Sequence, residues 1–227
     1  MTAVLGSTVA EVAARTLEAA RPYAAEALTC DEGELVFVDG IFSASGTNRS
    51  ITIEDLVLRL VPDSGDHPFN IKHSYEPDGS TYPYGCHIAE IEIDPATCDV
   101  NIMRYTVVDD FGAVINPLML EGQIHGGIAQ GIGQAIHEYA AFDEQGQLVA
   151  GSLMDYRLPR AADLPTFDIH FRSIPCKNNI LGVKGSGEAG AIGAPQAVIA
   201  AVTDALGIAH IDMPATPAAI WQALQNK

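Results

Sequence analysis

An α+β fold, with helices layered on mainly antiparallel sheets in two subdomains, is what the sequence predicts. Three observations carry this expectation. Strand candidates come as hairpin pairs, ELVFVDG with IFSASG around Asp39-Gly40, and HIAEIEID with VNIMRYTVVDD around Pro95-Ala96-Thr97. Long segments with helical apolar spacing accompany them. A Pro/Gly/Asp-rich stretch, VPDSGDHPFN, marks a boundary near residues 62–70, which gives a first subdomain of residues 1–66 and a second of 67–227.

The elements follow in order. Val9, Val12, Ala13, Leu17 and Ala20 recur at helical spacing, so a helix is expected over Thr8 to Leu28 with Ser7 or Thr8 as its cap. After the first hairpin, Ile51 to Leu60 reads as a short strand edge and a helix begun near Thr52. The second hairpin ends in Asp109, Asp110 and, a little later, Asn116. Paired aspartates can ligate metal or move protons, but at a strand end turn formation is the preferred reading.

From Glu121 to Tyr139, Ile124, Ile128, Ile132 and Ile136 repeat every four residues, a helix that also carries Gly126, Gly127, Gly131 and Gly133. Each glycine costs a helix about 0.5–1 kcal/mol relative to alanine. Close approach by another helix or by a ligand would explain them, and both readings stay open. Gln123, Gln130 and Gln134 offer neutral amides suited to a polar heterocycle. His125 and His137 are not spaced as a metal pair, and no metal ligands are assigned. YAAFDEQGQLVAGS reads as a further hairpin turning at Glu144-Gln145-Gly146, followed by an irregular run to a strand near Phe167–Phe171. In that run Arg157 and Arg160 read as structural partners of carboxylates. A short tail helix is expected from near Thr216.

The most informative stretch is LGVKGSGEAGAIGAP, residues 181–195. Its glycines leave Lys184, Ser186 and Glu188 as almost the only functional side chains. With Pro195 as the first residue of a helix through AVIAAVTDAL, the loop delivers one carboxylate and several backbone donors to a site just ahead of a helix N-terminus, where anions are favoured. Two other readings compete. One is a solvated surface loop. The other is a dinucleotide cradle, since Gly185, Gly187 and Gly190 spell GxGxxG and Asp212 follows at a plausible distance. Pro175 and Lys177-Asn178-Asn179 interrupt the run before the glycines, and Glu188 would place a negative charge in a phosphate cradle; both count against it.

Composition narrows the classes. A net charge of −17 over 227 residues argues against nucleic acid or an anionic membrane surface as partner. No apolar run is expected to approach a membrane span, and no signal pattern opens the chain. Cys30, Cys86, Cys98 and Cys176 are widely spaced, which fits reduced thiols in a cytoplasmic protein and supplies neither a zinc nor an iron–sulfur site.

EGQIHGGIAQGIG, MDYRLPRAADLP and GVKGSGEAGAIGAP, in this order, resemble the C-terminal part of the molybdenum-binding large subunit of the xanthine dehydrogenase/aldehyde oxidase family, with its carbon monoxide dehydrogenase-like branch. The resemblance runs over essentially the whole chain. It implies a molybdenum–molybdopterin cofactor, often the cytosine dinucleotide, and oxidative hydroxylation of aldehydes or N-heterocycles with oxygen from water. By residue-for-residue match, Glu188 would be the general base beside the molybdenum, in a partly desolvated place that raises its pKa. Gln130 would hydrogen-bond the pterin, and Lys184, Gly185, Ser186 and Gly187 would pack along it.

Family large subunits are several times longer. The resemblance therefore implies a missing N-terminal part, iron–sulfur and FAD subunits or domains as electron acceptors, and self-association as a homodimer through the face left open. It also implies a chain that is inactive and cofactor-free alone, whether excised or one part of a split subunit. A non-catalytic cofactor-binding or assembly module is the alternative, with a dinucleotide-binding protein behind it.

Overall fold

The computed structural model describes residues 2–60 and 66–226, and the first part of the Pro/Gly/Asp-rich loop, residues 61–65, lies outside them. The chain divides into two compact units, residues 1–78 and 79–227. The boundary falls later than the expected 66/67 because the segment after the loop packs back on the first unit. There the His67 ring meets the Val57 carbonyl at 3.2 Å, and the Phe69 ring stands edge-on to Tyr23 at 5.9 Å.

In the first unit, helix α1 (Thr2–Leu28) faces a sheet of β1 (Leu35–Val38), β2 (Ile41–Ala44) and β3 (Ser50–Thr52), all antiparallel in that order. Asp39 and Gly40 both take positive φ, 49° and 81°, the two-residue turn whose twist suits a hairpin. Helix α2 (Ile53–Arg59) starts as expected, with the Thr52 hydroxyl accepting from the Asp55 amide at 3.0 Å. Ala20, Ala24 and Leu28 follow at i, i+4 and i+8 and bury with Phe42, Ile51 and Leu56. Ser7 is no cap: α1 begins before it, and its side chain is buried.

The second unit is two layers. Its sheet holds β4 (Tyr84–Ile93), β5 (Val100–Asp110) and β6 (Phe167–Phe171), with β4–β5 antiparallel and β5–β6 parallel. Helices α3 (Pro117–Ile136) and α4 (Ala189–Leu206) form the other layer, with α5 (Pro217–Gln225) begun from a Thr216 cap. Asn116 caps α3, its side-chain oxygen accepting from the Met119 amide at 3.1 Å. The isoleucine repeat is the inner stripe of α3: Ile124, Ile128 and Ile132 are fully buried with Tyr105 and Val107 of β5, Val198 and Val202 of α4 and Ile220 of α5. The expected hairpin at 139–152 shrinks to one bridge, Phe142 with Leu148, flanked by the Asp143 amide on the Gln147 carbonyl at 3.0 Å and the Val149 amide on the Ala141 carbonyl at 2.9 Å.

Two expectations about α4 are corrected. It starts at Ala189, so Pro195 lies inside it. The proline ring packs into the space that Gly131 leaves on α3. In length and composition α4 also matches a membrane span, but Ala194, Val198 and Val202 bury completely in the core of this unit.

Candidate functional site

The glycine-rich loop is held at its base by backbone bonds to the end of β5. The Lys184 amide donates to the Phe111 carbonyl at 2.9 Å, and the Gly182 carbonyl accepts from Ala113 at 2.8 Å and Cys176 at 2.9 Å. Asn179, buried, closes the loop on itself, donating to the Val183 carbonyl at 2.8 Å and accepting the Val183 amide at 3.1 Å. Gly112 sits at φ 66° directly under the Gly182 carbonyl, a place where any Cβ would collide with that oxygen.

Beneath this junction lies a buried ion pair. Lys184 Nζ stands 2.6 Å from Asp110 Oδ2, with side chains 8% and 4% exposed. Asp110 Oδ1 accepts the amides of Gly112 at 2.8 Å and Ile174 at 3.0 Å. Burial by itself would raise the Asp110 carboxyl, but the Lys184 ammonium and these N–H donors outweigh it and hold the group well below the usual carboxylate range. Burial likewise opposes the Lys184 charge, and Asp110 overrides it and raises the ammonium pKa. The ammonium also lies over the Tyr84 ring, 4.3 Å from its centre.

Asp109 serves a second polar contact. His87 Nε2 lies 3.4 Å from Asp109 Oδ1, and His87 Nδ1 is hydrogen-bonded to the Tyr105 hydroxyl at 2.7 Å. Burial, then the Asp109 charge, raises the Tyr105 phenol. A Cβ on Gly193, in the first turns of α4, would lie 2.7 Å from the His87 ring. Asp110 does form a turn with the Gly112 amide, as a strand-end aspartate should. The ion pair and the histidine contact are what the sequence reading missed. The adjacent acids were visible, but Lys184 lies 74 positions further along the chain.

Glu188 stands immediately before α4 with an exposed side chain and no capping bond of its own, while its carbonyl accepts the Ile192 amide at 2.9 Å. The expected partly desolvated setting is absent in this chain. Of the five residues expected to line a cofactor, Gly185 and Gly187 are exposed with nothing within 4 Å of where a Cβ would stand, and Ser186 is half-buried. Gln130 is exposed on the outer face of α3, in a four-residue row with Gly122, Gly126 and Gln134. Lys184 differs from the other four: its ammonium points inward to Asp110.

The two glycine-rich segments meet backbone to backbone. A Cβ on Gly190 would lie 2.6 Å from the Ile128 nitrogen and 2.9 Å from the Ile124 carbonyl, and one on Gly131 would lie 2.7 Å from the Ala194 methyl. The chain entering α4 from Glu188 is thereby pressed onto the middle of α3. Among the described residues no three His, Cys, Asp or Glu side chains gather as a metal site. No strand runs into Gly185, so the dinucleotide geometry is missing. A polar cavity of about 410 Å³, lined by Asp94, Asp99, His137 and Arg157 among others, lies at the opposite end of the β4–β5 hairpin from this junction.

Residues 1–165 match the molybdopterin cofactor-binding domain family. The carbon monoxide dehydrogenase large chain of Hydrogenophaga pseudoflava is 34% identical over 99% of this chain and 29% of its own length. The nicotine 6-hydroxylase large subunit of Paenarthrobacter nicotinovorans is 35% identical over 89% of this chain and 26% of its own. Among solved structures, quinoline 2-oxidoreductase from Pseudomonas putida 86 superposes with a TM-score of 0.87 at 32% identity, covering all of this chain and 30% of that one. The chain thus spans less than a third of these relatives.

Proposed function

The chain belongs to the molybdopterin cofactor-binding family of molybdenum oxidoreductases, and we propose that it forms the C-terminal part of such an enzyme's large subunit. In this reading Glu188 is the general base for oxidative hydroxylation of an aldehyde, N-heterocycle or similar small substrate. The observation that carries it is the placement of Glu188: an uncommitted carboxylate, held between the ion-paired loop and the first turn of α4, at the seam of the two glycine-rich segments.

The residues present fit the cofactor. Gly185 and Gly187 leave open space and unencumbered backbone, and the Gln130 row offers amide donors and acceptors on a glycine-flattened helix face. Gln130 would bond the polar edge of the pterin, and Gly185, Ser186 and Gly187 would pack along it. The molybdenum centre, when bound, would supply the oxidising chemistry. Glu188 would take up and hold the proton released at the reacting oxygen. Desolvation of its carboxylate, needed to tune a base toward neutral pH, comes in this reading from cofactor and from the rest of the subunit covering the exposed face. Lys184 serves through Asp110 rather than by touching the pterin. Electrons leave through iron–sulfur and flavin subunits or domains, and the chain alone turns over nothing.

The test is Glu188→Gln in the assembled enzyme. Turnover falls by a factor on the order of 10²–10⁴ while molybdenum content stays at the wild-type level. A retained rate overturns the base assignment and leaves a cofactor-holding module without chemistry.

A further inference from the structure

We propose that Asp110 and Lys184 are positioning residues for Glu188, fixing the loop before it to the end of β5 so that the carboxylate is presented in one place. This rests on the reading of Glu188 as the reacting carboxylate. It goes beyond that reading by giving a task to two side chains that reach neither the loop surface nor the open glycines.

The geometry carries the argument. Three residues separate Lys184 from Glu188, and two of them are Gly185 and Gly187, so this short span has little stiffness of its own. What holds it is at its two ends. Upstream, the Lys184 ammonium is pinned at 2.6 Å to a carboxylate that two amides also hold. Downstream, Gly190 is wedged against the α3 backbone and Gly193 against the His87 ring, itself 3.4 Å from Asp109. Adjacent residues of one strand therefore fix both flanks of Glu188. A pair kept only for stability would be served equally by two apolar side chains, whereas a pair kept for position fails when its direction is lost. Misplacing a reacting group by about 1 Å can cost roughly a hundredfold in rate.

Amide hydrogen exchange on the chain tests this without any turnover. The Ile192 amide donates to the Glu188 carbonyl and reports on that residue directly, while the Ile132 amide in α3 reports on the unit as a whole. Lys184→Met is expected to speed exchange at Ile192 and at residue 184 by about tenfold with Ile132 unchanged. Asp110→Asn with Lys184→Met leaves no unpaired buried charge, so it keeps the fold where the single variant fails, and it shows the same local opening. Lys184→Arg restores slow exchange. Unchanged Ile192 exchange in the double variant, acceleration only in step with Ile132, or an Arg variant as open as the Met variant overturns the proposal. Because exchange is independent of chemistry, a failure here is distinct from a retained rate in Glu188→Gln.

Discussion

The two faces of α3 carry the same residue for opposite reasons. Gly127 and Gly131 lie where α4 presses on the helix, and a side chain there would strike Gly190 or Ala194 and Pro195. Gly122 and Gly126, on the outer face, have nothing within 4 Å. Both rows cost the helix the same propensity, about 0.5–1 kcal/mol per glycine relative to alanine. The inner row recovers that cost in packing against α4. The outer row recovers nothing within this chain. A glycine that packing does not explain is the better pointer to a ligand, and the same logic singles out Gly185 and Gly187 over Gly190 and Gly193.

The comparison breaks if the rows respond alike to an added methyl. Gly190→Ala is the largest test, since its Cβ would meet backbone atoms of α3 that cannot swing aside. A loss of about 3 kcal/mol is expected, seen as a melting temperature roughly 6–12 °C lower. Gly126→Ala should move the other way. It stabilises the isolated chain by about 0.5–1 kcal/mol, measured by urea unfolding, and lowers the molybdenum content of the assembled enzyme. Equal destabilisation by both substitutions would show that the outer face is packed after all.

A smaller effect sharpens the difference through pH. Asp110 is depressed in the folded chain, so its contribution is fully present above its ordinary value of 3.8 and is lost as pH falls toward the lower folded value. The Gly127–Gly190 and Gly131–Ala194 contacts contain no titratable side chain. Below about pH 4, exchange at the Lys184 amide should therefore rise before exchange at Ile132. Asp110→Asn should flatten the acid limb of melting temperature against pH. An unchanged acid limb in that variant would remove Asp110 from the account.

Much was legible from the chain alone because its physics is local. Asp39-Gly40 marks a hairpin turn, Thr52 and Thr216 sit where helices were expected to begin, and the isoleucine repeat of α3 has a single inward face, whereas the cap at Asn116 and the start of α3 ahead of Glu121 were not read. The sequence also singled out both glycine-rich segments and Glu188. Ser7 and Pro195 were misread because cap and first-turn preferences are weak beside burial. Ser7 went into the interior, and the Pro195 ring fitted the gap at Gly131.

Sequence by itself determined most of the elements, the Asp39-Gly40 turn and the family, all set by neighbours within a few residues or by the order of motifs. Tertiary structure alone decided which glycines face a helix and which face open space, and that Lys184 turns inward to Asp110. The physical reason is distance along the chain. The α3–α4 seam and the Asp110–Lys184 pair join segments whose spacing carries no periodic signal, so they exist only once the sheet and helices have closed on one another.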